Sequence, residues 1–265
     1  MVKIRVIPVL FLMNGLIVRS ERFEDFKVIG NPLSELERYS EWLADELVYV
    51  DITRVGQHDI RRDDHKVKNS GDTLSILRAI SEKAFMPLTF GGLIRTMDEV
   101  DAYLQNGADK VLITTEAWRN TNFVREVASK HGSQAVMVGI DVRREHDHAS
   151  VWIEQGRVKV SDDLAGWARQ VEAAGAGEIL VNSIDRDGSA EGYDLEAVRV
   201  VAEAVGVPVI ACGGAGDFSD FRAAIDGGAS AVAAGNLFHF TEHSYKRAKS
   251  YLKQRGYAVR YPYND

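Results

Sequence analysis

Residues 86–115, MPLTFGGLIRTMDEVDAYLQNGADKVLITT, align without a gap on residues 207–236, VPVIACGGAGDFSDFRAAIDGGASAVAAGN. At this constant offset of 121, Pro87 meets Pro208, Gly92 meets Gly213, Ala102 meets Ala223, Gly107-Ala108 meets Gly228-Ala229 and Val111 meets Val232. Each copy reads as a short apolar run, then a stretch with apolar positions every three or four residues, then Gly-Ala and a second apolar run, the pattern of strand, helix and strand. A second correspondence, at an offset of 132, lays Asp45-Glu46-Leu47-Val48 over Gly177-Glu178-Ile179-Leu180. Beyond these copies the same patterns recur, and strands are expected at 4–12, 46–52, 87–90, 110–114, 135–142, 178–182, 208–211 and 231–234. Helices are expected at 33–44, 97–106, 163–174, 195–205 and 218–227, among others. Strands apolar on both faces and separated by helices imply a parallel sheet. Two halves of four βα units predict an α/β fold, a closed (β/α)8 TIM barrel forming one domain over 1–265, with a doubly wound open sheet as the alternative.

Composition agrees with a barrel and narrows the function. A chain of 265 residues, 45% hydrophobic, is close to the most that one core holds. Charged residues make up 27% and form no low-complexity tract, which excludes wholesale disorder. A net charge of -7 argues against nucleic acid or an anionic membrane as partner and leaves an anionic small molecule open. The single Cys212 forms no internal disulfide, and the early apolar run 6–13 is broken by Pro8 and leads into Asn14-Gly15 rather than a cleavage site. With no stretch approaching the roughly 18 apolar residues of a membrane span, a cytoplasmic protein is expected. No cofactor and no metal are expected: His58, His65, His146 and His148 lie in polar stretches without ligand spacing.

In such a barrel the working residues lie where strands end and the following loops begin. Gly91-Gly92, Thr114-Thr115, Asp187-Gly188, Gly213-Gly214 and Gly235-Asn236 all fall there. Glycine lets backbone N–H groups approach an anion closely, and hydroxyl and amide side chains add donors, so these predict two phosphate sites, one per half. Turns of this kind also need glycine for themselves, and the repetition in both halves favours function for the set. Asp141 ends the fifth expected strand and Asp51 the second. A carboxylate at the mouth of a barrel among apolar strand residues has its pKa raised toward neutrality and suits general acid-base work. Asp141 is expected to be catalytic, while for Asp51 that role and a turn-capping role stand level. Half-barrel symmetry sets Phe11 against Asp141, so the carboxylate has no partner there. At the opposite strand ends, Arg5, Glu46, Lys110 and Glu178 are expected to ring the bottom opening as a seal or a gate. Cys212 has no evident histidine to activate it and reads as a buried small residue.

Several segments carry a family resemblance: Ile7-Pro8-Val9-Leu10, Gly30-Asn31-Pro32, Asp51-Ile52-Thr53, Gly107-Ala108-Asp109-Lys110-Val111, Ser183-Ile184-Asp185-Arg186-Asp187-Gly188 and Phe238-His239-Phe240. Over nearly its whole length the chain resembles the cyclase subunit of imidazole glycerol phosphate synthase. That resemblance implies a barrel docked by its bottom face on a glutaminase, receiving ammonia through its centre and adding it to a bisphosphorylated histidine precursor at the top. It further implies Arg5, Glu46, Lys110 and Glu178 as the ammonia gate, Asp109 at the glutaminase interface and Asp141 as one of two catalytic aspartates. The other aspartate's place is taken by Phe11, Leu93 replaces the third glycine of a Gly-Gly-Gly run, Thr114 replaces an asparagine and Asn236 a serine. The stretch from Thr53 to Asp72 is also longer and more charged than the cyclase leads one to expect. Because the changes gather on the top face, the chain is also similar to a branch implicated in converting the acetamido group of a nucleotide-linked sugar to acetamidino, for surface polysaccharide. That branch implies a separate ATP-using amidotransferase and a nucleotide-sugar substrate. The histidine-pathway cyclase and a noncatalytic ammonia conduit are the alternatives, and the sister isomerase ranks below them because it has no use for a gate.

Overall fold

The computed structural model describes residues 3–53, 72–240 and 243–262. The first half runs β1 (Arg5–Met13), β2 (Leu16–Glu21), β3 (Asp25–Gly30), α1 (Pro32–Glu41), β4 (Leu47–Asp51), α2 (Thr73–Ser81), β5 (Leu88–Gly91), α3 (Met97–Gln105), β6 (Lys110–Ile113), α4 (Thr115–Arg119) and α5 (Thr121–His131). The second runs β7 (Val136–Glu145), β8 (His148–Ile153), β9 (Val158–Ser161), α6 (Leu164–Ala173), β10 (Glu178–Ser183), α7 (Leu195–Ala204), β11 (Val209–Cys212), α8 (Phe218–Asp226), β12 (Ala231–Ala234), α9 (Asn236–Phe240) and α10 (Ser244–Gln254). Strands β1, β4, β5, β6, β7, β10, β11 and β12 pair in parallel around a ring that β12 closes on β1. The expected barrel is therefore the observed one, and its strands begin and end within one residue of expectation, except that β7 runs on to Glu145.

That extension belongs to the one feature of the topology that was not expected. Each half adds an antiparallel hairpin after its first barrel strand: β2–β3 after β1, and β8–β9 after β7. The charged stretch holding His146 and His148, read as a polar loop, is the β7–β8 turn, with His146 at φ 56 and His148 opening β8. His58 and His65 lie outside the described residues. The internal repeat extends to helix caps. Thr96 and Glu99 close a capping box on α3, and Asp217 and Asp220 close the equivalent box on α8, at the same offset of 121.

Strand periodicity of two decides what faces the lumen. On β1, Val6, Leu10 and Leu12 pack outward with the helices, whereas Ile7, Val9 and Phe11 join an inner cluster with Val48, Leu112, Met137, Leu180, Ile210, Ala231 and Ala233. The same parity carries Arg5, Glu46, Lys110 and Glu178 inward at the bottom, and Phe11, Asp141 and Asn182 inward at the top. An apolar column thus separates a charged floor from a polar mouth. Below it, α10 is seated by a buried ion pair, Lys249 Nζ to Asp45 Oδ1 at 2.6 Å, and by the Tyr245 hydroxyl, which accepts from Asp45 N and donates to the Val6 carbonyl.

Candidate functional site

The lumen opens at the strand C-termini into two adjoining cavities of about 210 and 200 Å³. Val9, Phe11 and Cys212 line both, so these three side chains form the wall between them. Phe11, 7% exposed, faces Val50 of β4 and meets Phe23 of the β2–β3 turn edge-on at 5.2 Å.

Asp141 stands at the floor of the first cavity, with part of its surface open to it. Asn182 lies in register beside it on β10 and donates to Asp141 Oδ1 at 3.0 Å. Burial pushes the Asp141 carboxyl up to about 6, and the amide contact only partly opposes this. Such a group exchanges protons near neutral pH, which is what general acid-base chemistry requires. Sequence reasoning missed Asn182, although parity counted from Glu178 points it into the lumen. Asp51, left open on sequence, serves the loop: its Oδ1 accepts from Thr53 N at 2.9 Å and its Oδ2 from the Thr73 hydroxyl at 2.5 Å. These contacts join the two sides of the stretch 54–71, which lies outside the described residues, and they favour the turn-capping role.

Several glycines expected to cradle phosphate are demanded by packing. A Cβ on Gly91 would lie 2.3 Å from the Leu112 carbonyl oxygen, and one on Gly92, at φ 87, would lie 2.0 Å from that of Asp51. Gly213 stands in the same relation to Ser183. Gly92 and Thr114 line the first cavity while Gly91 stands behind it, and Leu93, at φ 61 and 44% exposed, takes the next place along the rim. Thr115 is engaged already, its hydroxyl accepting from Glu154 N at 3.0 Å.

The second cavity gathers Asp187, Gly188, Gly213, Gly214, Gly235 and Asn236, as the sequence suggested. Its organiser is Ser20, fully buried on β2 and unforeseen. The Ser20 hydroxyl lies beside the Asp187 carboxyl and partly opposes the rise of its pKa, the Ser20 carbonyl accepts from Asn236 Nδ2 at 2.8 Å, and Gly188 packs against that same carbonyl. Asp187 Oδ2 is buried without a hydrogen-bond partner. Burial, reinforced by the nearby charge of Asp141, raises its carboxyl to about 7. Cys212 sits between the two acids, and burial pushes its thiol upward, which makes it inert as a nucleophile.

At the floor the four charged residues close a ring. Arg5 Nη1 lies 2.7 Å from Glu46, Arg5 Nη2 lies 2.9 Å from Glu178, and Lys110 Nζ lies 3.0 and 2.9 Å from the same two carboxylates. Glu46 is 2% exposed and takes a further bond from the Thr89 hydroxyl at 2.9 Å, a contact the sequence reading did not include. Asp109 is exposed outside the ring, one oxygen accepting from Leu88 N. Phe85, just before β5 on this face, is 93% exposed. Among the described residues one group could approach metal-ligand geometry, Glu145, His148 and Asp162 at the β7–β9 hairpins, but the Lys159 ammonium already bridges both carboxylates.

Comparison with known proteins places this geometry. The family described as histidine biosynthesis protein matches residues 5–244. The chain is 39% identical over 263 residues to the imidazole glycerol phosphate synthase subunit HisF of Thermobifida fusca (strain YX), covering 97% of this chain and 98% of that protein. It is 38% identical over 261 residues to the protein of the same name from Endomicrobium trichonymphae, covering 98% and 96%. These names carry the reading ranked as an alternative on sequence, and neither carries a sugar modification.

Proposed function

The chain belongs to the histidine biosynthesis protein family, and from that premise we propose that it is the ammonia-using synthase subunit of a glutaminase-coupled complex, of the imidazole glycerol phosphate synthase type. One observation carries this reading: a closed four-residue ionic floor and a proton-exchanging carboxylate, Asp141, lie at opposite ends of one apolar lumen. Neutral ammonia crosses an apolar column at little cost, whereas ammonium pays a large desolvation penalty. Parting of the Arg5, Glu46, Lys110 and Glu178 contacts admits ammonia from a glutaminase bound beneath. Asp141, oriented by Asn182, accepts and returns protons as nitrogen adds to the acceptor above it. In this reading Asp187, the glycines and Asn236 of the second cavity seat a phosphoryl group, and Thr114 and Thr115 contribute to the first cavity.

The names of the relatives favour the histidine-pathway bisphosphate as acceptor. Phe11 in place of the second carboxylate, together with Leu93 at the first cradle, favours a changed acceptor, for which the nucleotide-linked acetamido sugar and its ATP-using partner enzyme stand as the second reading. Turnover of the histidine-pathway bisphosphate by the purified chain in concentrated ammonium at high pH separates the two. Rates near those of the named relatives establish the first reading. Absence of turnover in a folded chain moves the search to acetamido sugars.

Phe85 gives the docking side a further handle. Aromatic residues exposed beside a functional opening are enriched as binding anchors, and truncating one costs about 1–2 kcal/mol or more. Phe85→Ala is expected to weaken glutaminase affinity about tenfold, measured by sedimentation, without lowering the melting temperature of the barrel.

A further inference from the structure

We propose that the ionic floor opens along one seam, between β1 and β4, and that Asp45, Tyr245 and Lys249 are the positioning residues that hold this seam shut. The seam deepens the ammonia-using reading and rests on it only for what passes the opening.

The other steps around the floor are backed by strand pairing. Arg5 stands opposite Ala231 of β12, Lys110 opposite Thr89 of β5, and Glu178 opposite Met137 of β7. Glu46 is followed by Leu47, which pairs with Leu88 and donates its N–H to the Pro87 carbonyl at 3.0 Å. From β10 to β12 the pairing runs through β11, by Ile179–Val209 and Ile210–Ala231. Arg5 and Glu46 are the exception. They are ion-paired across neighbouring strands, yet among the described residues the lowest couple joining β1 to β4 is Val9–Val48, well above the ring.

Proline causes the gap. The Leu12 carbonyl accepts from Ile52 N, and backbone groups alternate sides along a strand, so the even-numbered residues of β1 face β4. Pro8 is one of them and has no N–H to donate, so the ladder stops there.

Side chains take over below it. Val6 N donates to Asp45 Oδ2 at 3.2 Å, and the Val6 carbonyl accepts from the Tyr245 hydroxyl at 2.7 Å. That hydroxyl also accepts from Asp45 N at 2.8 Å, and the fully buried Lys249 ammonium holds Asp45 Oδ1 at 2.6 Å. Val6 and Asp45 adjoin Arg5 and Glu46 in sequence, so the grip on the first pair places the second. The end of β1 is also tied to the segment after α10, where the Ala258 carbonyl accepts from Ile4 N at 2.7 Å. Parting at this seam separates Arg5 from Glu46 and unzips no ladder, whereas parting at any other step must break one.

The test is amide hydrogen exchange of the full chain, resolved by residue with NMR and corrected for intrinsic rates. Val6 is expected to exchange by local opening about tenfold or more faster than Leu47 and Ile179, whose amides are bonded at the same level on other steps. Tyr245→Phe keeps the ring and removes the hydroxyl; it should speed Val6 about tenfold further and leave Leu47 and Ile179 within about twofold. Arg5→Met should do the same, because the Arg5–Glu46 contact closes the seam. A residue that only held the fold would shift all three amides together. Lys110→Met keeps the Arg5–Glu46 contact but weakens the fold as a whole; it should leave Val6 within about twofold, since a local opening does not follow global stability. Val6 protected as fully as Ile179, or a Tyr245→Phe effect spread evenly over the three amides, overturns the proposal. If that variant does not fold, the wild-type pattern and the Lys110→Met comparison still decide. None of these readouts needs glutaminase or turnover, so failure here leaves the ammonia-using reading intact, and failure to bind a glutaminase leaves the exchange pattern intact.

Discussion

Asp141→Asn is expected to lower ammonium-driven turnover of the acceptor by a hundredfold or more and, above pH 6, to make the barrel more stable. The first effect is the usual contribution of a positioned proton-transfer group, about 10²–10⁴-fold. Asparagine keeps a carbonyl oxygen for the Asn182 amide, so the shape of the site survives while its proton exchange does not. The second effect follows from the direction of the shift. A carboxyl raised from 3.8 to about 6 favours the folded state when protonated. That contribution is complete below the unfolded value and is lost as pH rises through 6, leaving an ionised native carboxylate that costs on the order of 2–3 kcal/mol at pH 7–8. Denaturant melts across pH 4–8 should show the variant gaining over wild type as pH rises through 6. Loss of stability at pH 8 would mean that Asp141 holds the fold rather than the chemistry.

Lys110→Met has the next largest effect. The ring distributes two cations between two carboxylates, and Glu46, at 2% exposure, has no water to replace a lost partner. Removing one member of a buried pair typically costs about 3 kcal/mol or more, because the survivor stays buried and undercompensated. Equilibrium unfolding should therefore show a lower midpoint at unchanged slope. Ammonium-driven turnover should fall far less than glutamine-driven turnover, since only the latter relies on the floor. Equal losses in the two assays would argue that the ring is a structural seal alone.

The fold was legible because two independent periodicities agreed. The repeat of 86–115 in 207–236 set the half-barrel, position at the strand beginnings and ends placed Arg5, Glu46, Lys110 and Glu178 on one rim and Asp141 on the other, and alternation along each strand turned them inward. What escaped was contact made across elements. Asn182 against Asp141, Thr89 against Glu46, and Ser20 beneath Asp187 and Asn236 each join strands or loops distant in sequence. The hairpins escaped for another reason: Asn14-Gly15 and the charged stretch around His146 read locally as loop, and only the extension of β1 and β7 beyond the barrel makes them turns. The dual nature of the glycines was beyond sequence too, since a cradle and a tight crossing ask for the same residue and only the neighbouring carbonyls tell them apart.

The measurement that bears most directly on the ammonia-using reading is sedimentation of the purified barrel with candidate glutaminase subunits, followed by glutamine hydrolysis in the mixture. The account predicts a one-to-one complex at micromolar concentration whose glutaminase activity depends on the barrel and weakens with Phe85→Ala. A barrel that sediments alone with every such glutaminase would contradict it, and the ionic floor would then be only a stabilising ring.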